Sequence, residues 1–370
     1  MRIAIVTASI GHGHNSVAFA LKEALLNENS NNCVEVFDIL DDSKLYQLVT
    51  SVYLEVISKT PYLYSKVFHW SQHYQKTNSI VNLLSFLSLK ILKNIKSSFQ
   101  PDAFIFTHPI PAMCYNNNKL RVPAYTVITD YAYHHFWFNP KVAGYFVASP
   151  EIKRQLEKNK FPSKNIFNTG LPIKKSFTSN NMKNSLHNSN ISEKPLVLVM
   201  GGGFGIGPLK GIVDELEKIQ LPFQAVVITG KNESLYQDIL KSIENKTKDR
   251  WKVISFTDEI HTLMKKSSLL ISKAGAITLT EAQISGLPTI IYKPIPGHEE
   301  ENARFVCQQG WATWVKKSEE LISITSKLLS SAEELEAMKK KSSLYSKPFA
   351  ASNICRIISN YIEAPLRRSL

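Results

Sequence analysis

The chain has 370 residues, 44% of them hydrophobic and 20% charged, and its 44 Lys and Arg against 31 Asp and Glu give a net charge of +13. That length exceeds one ordinary core and suits two domains, while the composition is that of an ordinary globular protein, for which disorder is not the default. The excess of positive charge calls for an anionic partner surface, nucleic acid or acidic lipid.

Met1 to Ala8 (MRIAIVTA) is an apolar, β-branched run that predicts a strand from the first residues and leaves no room for a secretory leader. Cys33, Cys114, Cys307 and Cys355 lie far apart, at neither metal-ligand nor disulfide-framework spacing, so a reducing cytoplasm is expected. Further strands are predicted at Cys33 to Ile39, Asp102 to Thr107, Ala124 to Thr129 and Gly144 to Ala148, alternating with amphipathic stretches. Ile80 to Leu92 is the most apolar later stretch, but Asn82, Ser85, Ser88 and Lys90 interrupt it, and it falls short of a spanning helix. Such alternation predicts a parallel sheet covered by helices.

Ser176 to Lys194 (SFTSNNMKNSLHNSNISEK) is polar and predicts a linker between residues 1–175 and 195–349. A second alternating series follows, with strands at Pro195 to Met200, Phe223 to Thr229, Trp251 to Phe256, Leu269 to Ser272 and Thr289 to Tyr292. The fold class is therefore α/β, two Rossmann-like, doubly wound parallel-sheet domains facing a cleft. Ligands are expected at the carboxyl ends of the strands. Residues 350–370 end the chain in a helix expected to pack back on the first domain.

The loop Ser9-Ile10-Gly11-His12-Gly13-His14-Asn15-Ser16 precedes a helix predicted over Ser16 to Leu26. Glycines there permit a close backbone approach, and the free amides of the helix start attract negative charge. A dinucleotide fingerprint would need a third glycine where Ser16 stands, although Asp38 sits where a ribose-binding acid would. An imidazole at a helix mouth accepts a proton near neutral pH, which makes His14 the candidate base; a capping role is the plainer alternative.

In the second half, the turn Gly201-Gly202-Gly203-Phe204-Gly205-Ile206-Gly207 has the glycine density to admit a phosphate or sugar to the backbone. Phe256, followed by Thr257, is either a face for a base or a core residue. Lys273 to Glu281 (KAGAITLTE) joins a strand to a helix and offers Gly275, Ala276 and Thr278 to a diphosphate. Glu281 then reads as a ribose acceptor or as an offset to the helix dipole. Pro294 to Asn302 (PIPGHEEEN) concentrates carboxylates at a helix start, as sugar ligands or as a solvated cap.

Gly11 to Ala18 (GHGHNSVA), Thr129 to Trp137 (TDYAYHHFW), Met200 to Pro208 (MGGGFGIGP), Lys273 to Glu281 and Lys293 to Asn302 (KPIPGHEEEN), in this order, resemble one family. It is that of the diacylglycerol glucosyltransferases and monogalactosyldiacylglycerol synthases, in glycosyltransferase family 28. These are similar to the N-acetylglucosaminyltransferase of peptidoglycan lipid synthesis. The resemblance covers nearly the whole chain. It implies the GT-B fold, no metal, no cofactor beyond a UDP-sugar donor, and inverting transfer of glucose or galactose to diacylglycerol or a glycolipid.

By the same resemblance His14 deprotonates the acceptor, with Asp130 as its aid or alternative. Gly13, His134 and Trp137 meet the acceptor. Phe256 and Thr257 flank uracil, and Glu281 anchors the ribose. Gly202, Gly203, Lys273, Gly275, Ala276 and Thr278 meet the diphosphate, and Gly297, His298, Glu299 and Glu300 meet the sugar. His298 departs from the glutamine that the family often carries, which leaves the donor sugar open. Between Lys44 and Lys96 aromatic residues alternate with lysines, and Lys59, Lys66, Trp70 and Lys76 are expected to dock on an anionic membrane surface. No nucleic-acid module is recognisable. The expected location is peripheral, on the cytoplasmic face of the membrane. Competing readings are a UDP-sugar epimerase on the same two-domain plan and a non-catalytic UDP-sugar sensor.

Overall fold

The computed structural model describes residues 1–9, 12–41, 79–179, 194–203, 205 and 207–367. Lys59, Lys66, Trp70 and Lys76, the expected membrane-docking residues, lie outside them. The chain forms two compact units, one of Met1–Lys175, Pro296–His298 and Lys347–Leu370, the other of Ser176–Ile295 and Glu299–Ser346.

The first unit contains β1 (Arg2–Thr7), α1 (His12–Glu28), β2 (Cys33–Asp38), α2 (Ser79–Phe99), β3 (Ala103–Phe106), α3 (Pro109–Cys114), α4 (Asn117–Leu120), β4 (Ala124–Val127), β5 (Gly144–Phe146), α5 (Pro150–Lys158) and β6 (Ile166–Phe167). The second contains β7 (Leu196–Met200), α6 (Leu209–Glu217), β8 (Gln224–Ile228), α7 (Glu233–Ile243), β9 (Trp251–Ile254), α8 (Ile260–Lys266), β10 (Leu269–Ser272), α9 (Ala276–Ile284), β11 (Thr289–Tyr292), α10 (His298–Gln308), β12 (Ala312–Val315), α11 (Ser318–Ser330) and α12 (Ala332–Tyr345). The last helix, α13 (Ala350–Arg367), belongs to the first unit.

Each unit is built on a six-stranded sheet, in the orders β2-β1-β3-β4-β5-β6 and β12-β11-β10-β7-β8-β9, and every strand pair is parallel. Parallel strands are covered on both faces, which is why the central ones read as unbroken apolar runs: AFIF in β3 and LVLVM in β7 are buried throughout. In the second unit Val197, Val199, Val227, Ile271 and Ile290 meet Leu209, Ile212, Val213 and Leu216 of α6 in one core.

In the first sheet the strand order reverses between β1 and β3, and in the second between β7 and β10. The loops leaving adjacent strands part to opposite sides at such a point and open a crevice beyond their carboxyl ends. Both glycine-rich turns lie at these points.

The edge strands β6 and β12 were not anticipated. Ile166–Phe167 is too short to show alternation, and Ala312–Val315 (ATWV) follows directly on Gly310 and Trp311. Helix α1 begins at His12, four residues before the expected start, so His12, Gly13 and His14 form its first turn, where amides have no intrahelical acceptor. The C-terminal helix lies along α1: Cys355 and Ile358 are fully buried, Cys355 Sγ is 3.9 Å from the Leu21 carbonyl, and Ser359 Oγ is 3.4 Å from the Glu28 carboxylate. Near the expected linker, Phe177 is buried, and Lys265 Nζ donates to the Ser179 carbonyl at 2.7 Å, so this stretch packs with the second unit.

Candidate functional site

The first unit gathers a histidine site at its β1/β3 crevice. The loop after β1 is tied down by polar side chains: the Asp38 carboxylate accepts from the Ser9 amide at 3.2 Å, the Leu40 amide at 3.0 Å and the Ser9 hydroxyl. Asn15 donates to Ser9 Oγ at 2.6 Å and accepts from Thr7 Oγ1 at 3.1 Å. Asp38 is thereby committed to holding this loop, which removes the acid that a dinucleotide reading would need for a ribose.

His14 Nδ1 lies 2.9 Å from the Thr107 carbonyl oxygen and 2.8 Å from Thr129 Oγ1. A carbonyl can only accept, so the neutral ring carries its hydrogen on Nδ1, shared between these two oxygens, and presents a bare lone pair at Nε2. Burial holds the imidazole below the ordinary histidine range, against the pull of the Asp130 carboxylate and the Thr107 hydrogen bond. The ring is therefore neutral near pH 7, and Asp130 is placed to stabilise the cation that forms when it takes up a proton.

His108 was not singled out from the sequence. It follows Thr107 and caps α3, its Nδ1 accepting from the Ile110 amide at 3.2 Å, with Pro109 at the first helical position. Its ring meets that of His14 edge to face, with centroids 4.5 Å apart at 75°. Burial, and secondarily the neighbouring His14, push its pKa well below the usual value. Trp137 forms another wall, buried to 2% exposure with its ring 6.2 Å from that of His14. His134 caps the short 3-10 turn His135–Trp137, its Nδ1 accepting from the Phe136 amide at 3.2 Å. Asn139 braces this wall: its buried amide donates to the Ala112 and Tyr115 carbonyls at 2.8 Å each. Gly13, in the first turn of α1, adds no side chain beside the His14 ring.

A cavity of about 730 Å³, lined by Tyr115, Arg121, Pro123 and Lys141 among others, opens at the amino ends of β4 and β5. It lies at the opposite strand ends from His14.

The second unit holds a charged site at its β7/β10 crevice. Gly202 and Gly205 take positive φ of 73° and 60°, a conformation that suits glycine, and a Cβ on Gly205 would stand 2.0 Å from the Thr229 carbonyl oxygen. The neighbouring Gly203 carbonyl accepts from the Lys231 amide at 3.1 Å. After β10, Lys273 reaches back to this turn and forms an ion pair with Glu299 of α10. Gly275 is the N-cap of α9, and Ala276 begins the helix; Asn302, fully buried, donates to the Ala274 carbonyl at 3.2 Å and locks the loop. Thr278 Oγ1 faces the Gly275 position at 3.9 Å from a built Cβ. Glu281, on the same helix, is 9% exposed.

Phe256 follows β9 and is 48% exposed, so it is not a core residue; Lys231 Nζ stands 5.5 Å from its ring centroid. Thr257 Oγ1 accepts from the Glu259 amide at 3.1 Å. Gly297, at φ 97°, leads into His298, the first residue of α10, and both group with the first unit. Glu300 is partly exposed on that helix, whereas Glu299 is 2% exposed. Among the described residues no three His, Cys, Asp or Glu side chains are grouped to hold a metal ion, and no helix is long and apolar enough to cross a membrane.

Residues 14–173 match the family model of monogalactosyldiacylglycerol (MGDG) synthase, and residues 196–354 that of the glycosyltransferase family 28 C-terminal domain. The chain is 33% identical over 357 residues to a processive diacylglycerol beta-glucosyltransferase of Bacillus subtilis (strain 168), a match covering 92% of this chain and 90% of the relative. In fold it is similar to MurG of Acinetobacter baumannii (TM-score 0.62, 14% identity, 97% and 99% of the two chains). It is equally similar to the UDP-GlcNAc 2-epimerase of Neisseria meningitidis (TM-score 0.64, 14% identity, 97% and 100%). The two parallel sheets and these likenesses make the fold GT-B, and the chain belongs to the family 28 glycosyltransferases that comprise the monogalactosyldiacylglycerol synthases and diacylglycerol glucosyltransferases.

Proposed function

We propose that this protein transfers a hexose from a UDP-sugar to the hydroxyl of diacylglycerol, or of a glycosyl-diacylglycerol, with inversion at the anomeric carbon and without a metal ion. Glucose is the favoured donor sugar and successive addition the favoured course, because the similar Bacillus protein is a processive diacylglycerol beta-glucosyltransferase. The protein works at the cytoplasmic face of a membrane, to which its net charge of +13 draws it.

The observation that carries this reading is the Nδ1 contact of His14 with the Thr107 carbonyl. It fixes the tautomer whose Nε2 can take a proton from an acceptor hydroxyl, and burial keeps that nitrogen unprotonated near neutral pH. As the proton passes to Nε2, the hydroxyl oxygen bonds to the anomeric carbon and the bond from that carbon to the diphosphate breaks. UDP leaves with the electron pair, and the Asp130 carboxylate steadies the imidazolium. The developing charge on the diphosphate is met by Lys273 and by the free amides at the start of α9. Exposed Phe256 offers a face to uracil, and Glu281 offers two acceptor oxygens to the ribose.

Incubation of the purified protein with UDP-glucose, with and without diacylglycerol vesicles, tests the proposal. Release of UDP that depends on the vesicles, together with a glucosylated lipid on thin-layer separation, is expected. An isomerised UDP-sugar formed without lipid would replace this reading with that of an epimerase.

A further inference from the structure

Glu299 belongs to the motif from which sugar ligands are expected, yet its surroundings give it different work. Its side chain is 2% exposed, and both carboxylate oxygens are engaged within the protein. Oε1 pairs with Lys273 Nζ, and Oε2 accepts from the Ile295 amide at 2.9 Å. A carboxylate so enclosed offers no surface to a sugar hydroxyl.

The ion pair does hold one thing in place. Lys273 is 18% exposed, and a Cβ built on Gly202 would lie 3.4 Å from its Cε and 4.0 Å from its Nζ. One built on Gly275 would lie 3.9 Å from Lys273 Nζ, from Glu299 Oε1 and from Thr278 Oγ1. The ammonium group thus stands between the glycine turn after β7 and the N-cap of α9, the two sides of the crevice. A lysine side chain has four rotatable bonds and is ordinarily mobile at such a mouth. A buried carboxylate anchored to the main chain of the β11 loop removes that freedom.

We infer that Glu299 is a positioning residue: it acts on the donor's diphosphate through Lys273 and is not a ligand of the donor sugar. The inference rests on the UDP-sugar reading and reassigns one residue within it. It separates two effects that a sugar ligand would confuse, because UDP carries the diphosphate but no sugar.

Calorimetric titration of uridine, UDP and UDP-glucose into wild type, Glu299→Gln, Lys273→Met and the double variant tests it. Glu299→Gln is expected to weaken UDP and UDP-glucose by the same factor, about tenfold, the scale of losing a hydrogen bond to a charged group, and to leave uridine unchanged. In the Lys273→Met background the same change is expected to alter UDP affinity less than about twofold, since the group it acts through is gone. Lys273→Arg, which keeps a cation for Glu299, is expected to hold UDP affinity within about threefold of wild type. This arm stands even where Glu299→Gln fails to fold, which thermal melting reports. A Glu299→Gln protein that binds UDP as wild type does but UDP-glucose more weakly would overturn the inference and make Glu299 a sugar ligand. A wild-type protein that binds no UDP would instead sink the donor reading itself.

Discussion

The crevices of the two units have the same topology and opposite chemistry. In the first, the segments after β1, β3 and β4 bring together neutral rings: His14 tied by a carbonyl and a hydroxyl, His108 edge-on to it, and buried Trp137. In the second, the loops after β7 and β10 and the start of α10 bring together glycines with positive φ and an ion pair, Lys273 with buried Glu299. A parallel sheet with a reversed strand order supplies a crevice and nothing more. The side chains that line it do opposite work in each. Around His14 burial disfavours the cation and so creates a base, whereas Lys273 stands at its crevice paired with the Glu299 carboxylate.

The sharpest way to break this contrast is to remove the base. His14→Ala is expected to lower kcat by about a hundredfold or more, the usual scale for losing a general base, with UDP affinity unchanged because no diphosphate contact is lost. Steady-state rates with UDP titration check both halves, and wild-type turnover would take His14 out of the chemistry.

A smaller effect is expected from Asp130→Asn. The carboxylate raises the pKa of His14, so its loss lowers that pKa further below 6.5. Neutral His14 then persists to lower pH, and the acid limb of the kcat/KM profile moves down the pH scale while the plateau falls several-fold with the weaker base. An unmoved limb would uncouple the two residues. On the other side of the comparison, Phe256→Ala is expected to weaken UDP by about two- to tenfold, the range of one aromatic contact, without altering the pH profile. A shifted profile would mean that the two sites do not divide the work as described.

Much of this division was legible in the sequence. Strands such as LVLVM announce themselves because both faces are buried, and the glycine turns mark close backbone approaches. His14 stood out beside its glycines. Its partners did not, since Thr107 and Thr129 lie 93 and 115 residues away and meet it only through the strand order. His108 carried a local signal, a histidine before a proline at a helix start, but the motif reads as a plain cap until the fold sets it against His14. Glu299 shows the reverse case: a run of three glutamates looks like a set of ligands, and only packing separates buried Glu299 from partly exposed Glu300.

The central claim is that His14 is neutral near pH 7 with its hydrogen on Nδ1 and its lone pair on Nε2. Nitrogen NMR of ring-labelled histidines, with the His14 signals assigned by their loss in His14→Gln, reads both properties in one titration. The account predicts a protonated Nδ1 and a bare Nε2 at pH 7, with the ring titrating below 6.5. A ring that carries its hydrogen on Nε2, or remains cationic at pH 7, would contradict it.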